Sequence, residues 1–205
     1  MQNEQRQILY FRTMRTFFFV FFVFISIGIK AQVNDSNKHA RNVFLTNKVM
    51  VNTLDGKPIG FFLNHSGIDK DAKRFYRGEL GVGDGNTLNG IADSLISCSL
   101  ETKPFYFFIF NQIVELSNGE YEEFVASKCK EFLEMYPCEF FHSFNQPELN
   151  INVVKWTNYI GITLKDRGSF SIYRTRVDST IKARCPDIQD LLKSFMVEVR
   201  MCLVR

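Results

Sequence analysis

The chain predicts a single α+β domain in which a mixed or antiparallel sheet is covered by helices. Residues 105–110 are apolar at every position, which is typical of a strand covered on both faces. Asp55-Gly56 and residues 165–168 each separate two apolar stretches, as the turns of β-hairpins do. Elsewhere, apolar residues recur at intervals of three or four, which predicts helices that pack against the sheet.

In the first half of the chain, residues 43–51 and 58–63 predict the two strands of a hairpin around Asp55-Gly56. Pro58 belongs at the turn end of the second strand, because proline cannot donate to a sheet hydrogen bond. Two helices, over residues 69–80 and 86–96, then lead to the central strand at 105–114.

Ser117 and Glu120 have the spacing of a capping box, which predicts that a helix begins there. Its apolar stripe continues to Tyr136, and Pro137 ends it.

The second half of the chain predicts four further strands and a last helix. Residues 138–144 form one predicted strand, with Phe140 and His142 on one face and Phe141 on the other. Gln146-Pro147 could open a helix or a strand, and the alternation of Leu149, Ile151 and Val153 favours the strand. Residues 159–164 and 170–177 flank the second hairpin turn. Pro186 opens a helix whose apolar residues form one stripe towards the end of the chain. Because strands and helices alternate irregularly, the pattern favours an α+β domain over a regular α/β fold.

The N-terminal residues have the composition of a secretory signal peptide. Arginines precede a nearly unbroken apolar run over residues 17–29, which is shorter than the roughly 20 residues that a membrane-spanning helix needs. Ala31 follows as a small residue suited to signal peptidase, so we predict cleavage between Ala31 and Gln32. Translation starting at Met1 or at Met14 gives the same outcome. The alternative is a signal that is not cleaved and remains as an anchor.

The predicted organisation is therefore a signal peptide at residues 1–31, a polar mobile segment at 32–42 and one globular domain at 43–205. The exported protein is expected to be periplasmic or extracellular, without a stable membrane anchor.

The charge balance of the exported part argues against a nucleic-acid-binding protein. The whole chain has 25 Lys and Arg residues against 22 Asp and Glu residues, a net charge of +3. Residues 1–31 contain four of the basic residues and one of the acidic ones, so the remainder of the chain is neutral. A nucleic-acid binder needs an excess of basic residues to neutralise phosphates.

All five cysteines lie beyond the predicted signal peptide, and an odd number leaves at least one thiol unpaired within the chain. Cys129 and Cys138 flank the end of one predicted helix, so we take a disulfide between them as a hypothesis. Cys98, Cys129 and Cys202 lie on or beside apolar helix faces, where burial of a free thiol is the alternative.

The motifs that could bind a cofactor or a metal are incomplete, and no cofactor is expected. Gly81, Gly83 and Gly85 lie between two helices rather than after a strand, and the Lys-Ser/Thr pair of a phosphate loop is missing. Cys129, Cys138 and His142 lack the spacing of zinc ligands.

The sequence therefore favours a protein that acts by binding over an enzyme. We expect an exported binding protein, of the kind that serves as an immunity-type inhibitor of a toxin or enzyme, with another protein as its partner. Arg174 and Arg176, on one side of a predicted strand, and Trp156, the only tryptophan, are the candidate contacts. A lone tryptophan is more often a core residue, and Trp156 would be a contact only if it is exposed. The alternative is a small hydrolase with His65 or His142 as the general base, its site assembled from distant residues.

Overall fold

The computed structural model describes residues 50–81 and 85–203, which belong to one compact unit. The predictions for the signal peptide, the cleavage site at Ala31 and Gln32, the segment 32–42 and residues 43–49 lie outside the described residues.

The described chain is mostly helical, with one two-stranded sheet, so the predicted α+β fold is wrong. The two strands are β1 (Thr53–Leu54) and β2 (Lys57–Pro58). The helices are, in chain order, α1 (Ile59–Asn64), α2 (Lys70–Tyr76), α3 (Gly85–Ser97), α4 (Lys103–Leu116), α5 (Glu122–Met135), α6 (Pro137–His142), α7 (Val153–Thr163), α8 (Arg167–Arg184) and α9 (Gln189–Cys202).

The first hairpin turn is confirmed, although its strands are much shorter than expected. β1 and β2 pair antiparallel, with Thr53 opposite Pro58. Asp55 and Gly56 both have positive φ, at 51° and 70°, as a two-residue turn that fits the twist of a hairpin requires. The apolar residues after Pro58 form helix α1 instead of a long strand.

The predicted central strand is a buried helix, α4. Its residues 105–114 are all buried, the polar Asn111 and Gln112 among them. A short apolar run has the same composition in a covered strand as in a helix surrounded on every side. Helices α2, α3 and α7 pack against α4, and α7 is itself enclosed by α5 and α9.

The N-terminus of α5 does not have the predicted capping box. Ser117 ends α4 instead, where its hydroxyl donates to the carbonyl of Ile113 at 2.6 Å. A 3-10 turn at Gly119–Tyr121 then precedes α5. The helix ends at Met135, before Pro137, as the sequence predicts.

The remaining predicted strands are also helical. Pro137 begins α6, and residues 147–149 form a 3-10 turn that ends in Asn150, with φ at 47°. Asn152 then caps α7 by accepting a hydrogen bond from the Lys155 amide at 3.1 Å. Asn150 and Asn152, the polar residues of the predicted strand 149–153, lie at helix ends instead.

The second predicted hairpin consists of two consecutive helices, α7 and α8, and residues 164–166 connect them. Asp166 caps α8, because its carboxylate accepts a hydrogen bond from the Ser169 amide at 2.7 Å. The Ser169 hydroxyl in turn accepts one from the Asp166 amide at 3.2 Å. This reciprocal pair is a capping box, which starts a helix where the sequence suggested a turn.

The aromatic core lies between α4, α5, α6 and α7. Trp156 has no exposed surface, and its ring packs against those of Phe107, Phe110 and Phe140. Its Nε1 donates to the side-chain oxygen of Asn111 at 2.9 Å. This bond satisfies the two polar groups that would otherwise be buried at a cost in free energy.

Candidate functional site

An open groove lies at the end of the molecule where α8 begins and α9 ends. It has a volume of about 660 Å³ and is lined by Asp166, Arg167, Val197, Arg200, Met201 and Leu203. Most of the surface inside the groove is apolar. Val197 and Met201, which line it from α9, have exposed fractions of 57% and 54%. Exposed apolar side chains grouped in a concavity favour contact with another molecule.

Local sequence fixes both walls of this groove. The capping box places Arg167 at the first position of α8. On α9, Val197, Arg200 and Met201 are three and four residues apart, so they share one helix face.

A close helix contact holds the α9 wall against α7. Gly161 of α7 leaves so little room that a methyl group added there would lie 2.5 Å from Cβ of Cys202. The end of α9 is therefore seated against the end of α7, and the groove has a rigid base.

Both arginines of the groove are available to a ligand. Arg167 and Arg200 are exposed, and neither makes an ion pair with any residue in the described part of the chain. The groove also contains one carboxylate, that of Asp166. Hydrogen bonds from the Ser169 amide, aided by the Gly168 amide, hold its pKa below the usual range, so Asp166 is ionised at neutral pH. Among its described residues, the groove thus has two positive charges against one negative charge that already caps a helix.

The structure separates the two arginines that the sequence placed side by side. Arg174 and Arg176 lie on helix α8, not on a strand, and residues two apart on a helix do not share a face. Arg176 is bound to Glu134 of α5, with 2.6 Å between Nη1 and Oε1. Arg174 is exposed and has no ion pair within residues 50–81 and 85–203.

The suggestion that Trp156 contacts a partner is corrected, because this side chain is wholly buried in the aromatic core. The helical spacing of apolar residues along α7 indicates this burial. Trp156 and Ile160 are four residues apart, so they share a helix face, and both are fully buried.

The predicted disulfide between Cys129 and Cys138 is also corrected. Cys138 is bonded to Cys185, with the two Cα atoms 5.9 Å apart. The chain does not fold back after Pro137, because α6 starts there, and Cys129 remains a buried free thiol on the core face of α5. Burial raises the pKa of Cys129 well above its usual value, so this thiol is inert.

Each histidine that could act as a base is paired with a carboxylate. His65 Nδ1 accepts a hydrogen bond from the Gly67 amide at 3.0 Å, and Nε2 faces Oε2 of Glu101 at 3.4 Å. With both ring nitrogens engaged, His65 has no free lone pair to take a proton from a substrate.

His142 lies on the surface, with its Nε2 3.3 Å from Oδ2 of Asp187. Among the hydrogen bonds of the described residues, none joins a serine, threonine or cysteine side chain to either imidazole ring. A nucleophile activated by its neighbouring base needs such a bond.

The metal site considered for Cys129, Cys138 and His142 does not form, because Cys138 is bonded to Cys185. Within residues 50–81 and 85–203, no three His, Cys, Asp or Glu side chains are grouped closely enough to hold a metal ion. In the same part of the chain, no helix has both the length and the apolar composition to cross a bilayer.

Comparisons of the chain with protein families, with curated proteins and with solved structures find no match.

Sequence reasoning missed the groove because its residues come from two elements that were assigned differently. The pattern around Asp166 and Arg167 predicts a hairpin turn, and the apolar stripe of α9 predicts only the buried face of that helix. The outward-facing Val197 and Met201 are the signal that could have found it, since both interrupt the polar face of a helix whose apolar stripe is already complete.

Proposed function

We propose that this protein is exported and acts by binding another protein, as an inhibitor of the immunity type does, and that the α8–α9 groove is its contact surface. The observation that carries the proposal is the combination of exposed Val197 and Met201 with two arginines that have no ion pair in the described chain. Protein interfaces favour an apolar centre, and arginine is among the residues enriched in them.

Export is supported by two features. The N-terminal residues read as a signal peptide, and Cys138 and Cys185 are bonded, as cysteines are in oxidising compartments. N-terminal sequencing of protein recovered from outside the cytoplasm is expected to begin at Gln32. Recovery of a chain that starts at Met1 or Met14 would contradict cleavage.

The histidine geometry makes the hydrolase alternative less attractive. Both ring nitrogens of His65 already contact other groups. His142 contacts a carboxylate, but no nucleophilic side chain in the described residues is hydrogen-bonded to it. Binding is therefore the function that we propose.

The test is capture of the partner by the tagged, exported protein from its producing cells, with a matched pair of variants. Met201→Asp places a charge in the groove, whereas Ile172→Asp changes a side chain of similar exposure, 59%, on α8 outside it. Both residues are largely exposed, so both variants should fold, which circular dichroism checks.

We expect the native protein and Ile172→Asp to retain the same protein, and Met201→Asp to lose it. The purified partner should lose its own activity when the native protein is added. Loss of capture with both variants or with neither excludes the groove as the contact surface. If Met201→Asp has no effect, and a folded His65→Ala/His142→Ala variant still captures the partner but no longer inactivates it, the hydrolase alternative is favoured.

A further inference from the structure

We infer that the groove recognises an acidic segment of the partner in which an apolar side chain is flanked by carboxylates. This inference rests on the proposed function and specifies the chemistry of the ligand. Val197 and Met201 form the apolar part of the groove, and Arg167 and Arg200 provide the charge on either helix.

Arg167 and Arg200 differ from many charged residues of the surface in having no carboxylate partner in the described chain. Several lysines and arginines elsewhere on the surface have carboxylate partners, as in the pairs Lys182–Asp178, Lys193–Asp190 and Arg176–Glu134. Arg167 and Arg200 have none in the described chain, although each belongs to a helix that carries acidic residues. Guanidinium groups bind carboxylates through two parallel hydrogen bonds, which gives such a site geometric selectivity for acidic groups.

Asp166, the only acidic side chain among the described residues of the lining, does not neutralise this preference. Its carboxylate already accepts hydrogen bonds from the backbone at the start of α8 and lies more than 4 Å from any arginine nitrogen in the described residues. An incoming carboxylate therefore meets two cations whose charge is not compensated by a contact.

The apolar half of the lining selects for a second feature. Met201 and Val197 in the lining gain free energy when an aliphatic side chain covers them, at roughly 25 cal/mol per Å² of buried apolar surface. Methionine adapts its shape to different occupants, so the groove accommodates leucine, isoleucine or methionine. A purely acidic ligand would leave this surface exposed.

The neutral balance of residues 32–205 makes the local charges decisive. A chain without a net charge does not steer ligands over long distances, so the preference for acidic groups comes from contacts with the two arginines. The interaction should weaken with salt, since exposed ion pairs are screened within about 10 Å at 0.1 M ionic strength.

The probe is a synthetic pentapeptide, acetyl-Gly-Glu-Leu-Glu-Gly-amide, added to the exported protein carrying ¹³C-labelled methyl groups. Two control peptides replace both glutamates by glutamine, or the leucine by glycine. The NMR signals of the Met201 and Val197 methyl groups report occupancy of the groove. We expect saturable shifts with the first peptide, and affinity about tenfold weaker with each control peptide.

The protein variants separate the groove from general surface charge. Arg167→Gln/Arg200→Gln should weaken binding of the glutamate peptide by about tenfold. Arg174→Gln removes an exposed arginine of α8 that lies outside the groove, so it should leave the affinity unchanged. Equal binding of the glutamine peptide, or equal weakening by Arg174→Gln, overturns the inference.

The outcome is independent of the capture experiment. If Met201→Asp abolishes capture but the glutamate peptide does not shift the Met201 methyl signal, the acidic-segment inference is wrong and the proposed function stands. If the peptide binds as expected but no protein is captured through Met201, the proposed function is wrong and the ligand chemistry of the groove stands.

Discussion

Gly161 shows how one residue sets the position of an entire helix. A Cβ at this site would lie 2.5 Å from Cβ of Cys202 and 3.2 Å from the carbonyl oxygen of Val199. Both of these atoms are fixed to the backbone of α9 and cannot move away as the tip of a long side chain could. Only glycine permits the approach, so Gly161 seats the helix that carries Val197 and Met201.

Gly161→Ala should therefore lower the free energy of unfolding by about 1–3 kcal/mol, because the added methyl group pushes α9 away from α7. Gly90→Ala is the matched control. Gly90 is exposed on α3 and has open space around it, so alanine there should stabilise by about 0.5–1 kcal/mol through helix propensity. Urea unfolding of the two variants measures both effects. A loss at Gly90 as large as that at Gly161 would contradict the steric explanation.

The asparagines and aspartates at helix ends show what single residues could have revealed. Asn152 and Asp166 cap α7 and α8 through side-chain oxygens, as both residue types commonly do. The sequence analysis gave more weight to the apolar alternation around them and assigned strands. Residues that compete with the backbone for hydrogen bonds are ambiguous when read alone, since they also favour the turns of hairpins.

At the scale of elements, α4 explains why the fold class was wrong. Phenylalanine, tyrosine and isoleucine favour strands when little else is known, and residues 105–110 contain no polar position to reveal a period. The length of the run was the better guide. α4 spans 14 residues, whereas strands are usually half as long. The partly exposed elements α2, α3, α5 and α9 were predicted as helices, because a helix with a polar face displays its period.

The contact between α5 and α8 depends on a small ionic network centred on Glu134. Its carboxylate binds Lys130 on its own helix at 3.3 Å and Arg176 on α8 at 2.6 Å. Burial raises the pKa of Glu134, but the hydrogen bonds and charges of Arg176 and Lys130 outweigh this effect, so the pKa lies below its usual value. A lowered pKa in the folded state means that the ionised form stabilises the fold.

Glu134→Gln should destabilise the protein by about 0.5–1 kcal/mol near neutral pH, which is the range for a partly exposed ion pair. The stabilisation is complete above the pKa of the unfolded state and disappears as the pH falls through the lower folded value. The difference between native and variant protein in urea should thus shrink as the pH falls below the usual glutamate pKa of 4.5. Glu198→Gln, an exposed change on α9, serves as the control. A pH-independent difference at Glu134 would show that the effect is not ionic.

At the scale of the whole molecule, three polar or covalent contacts among the described residues join α6 to the end of α8 and to the connection that follows it. They are the Cys138–Cys185 disulfide and two ion pairs, Glu139–Arg184 and His142–Asp187. The disulfide connects residues 47 apart, and the segment between them contains α7 and α8. Closing a loop of this size removes conformational entropy from the unfolded chain, which corresponds to about 4 kcal/mol in the chain-entropy description.

The bond should be a permanent structural link. Cys138 and Cys185 are 8% and 4% exposed, so a reductant reaches them only when the surrounding structure opens. In urea without reductant, we expect an alkylating reagent to label three thiols, those of Cys98, Cys129 and Cys202, and five after reduction. Mass spectrometry of the alkylated protein counts them. Labelling of all five thiols before reduction would exclude the bond.

Cys138→Ser/Cys185→Ser should lower the free energy of unfolding by about 2–4 kcal/mol, because the unfolded chain regains the entropy that the bond removes. Cys98→Ser is the control, since this half-buried thiol is not bonded to another cysteine and its loss should cost less than about 1 kcal/mol.

The groove shows whether the disulfide also affects a distant part of the structure. It lies at the far ends of α8 and α9 from Cys185, so the Met201 methyl signal and the affinity for the glutamate peptide should be preserved in the folded double serine variant. If that variant unfolds at the same urea concentration as the native protein, the disulfide does not stabilise the fold. If it remains folded but loses the peptide, the link also positions the groove.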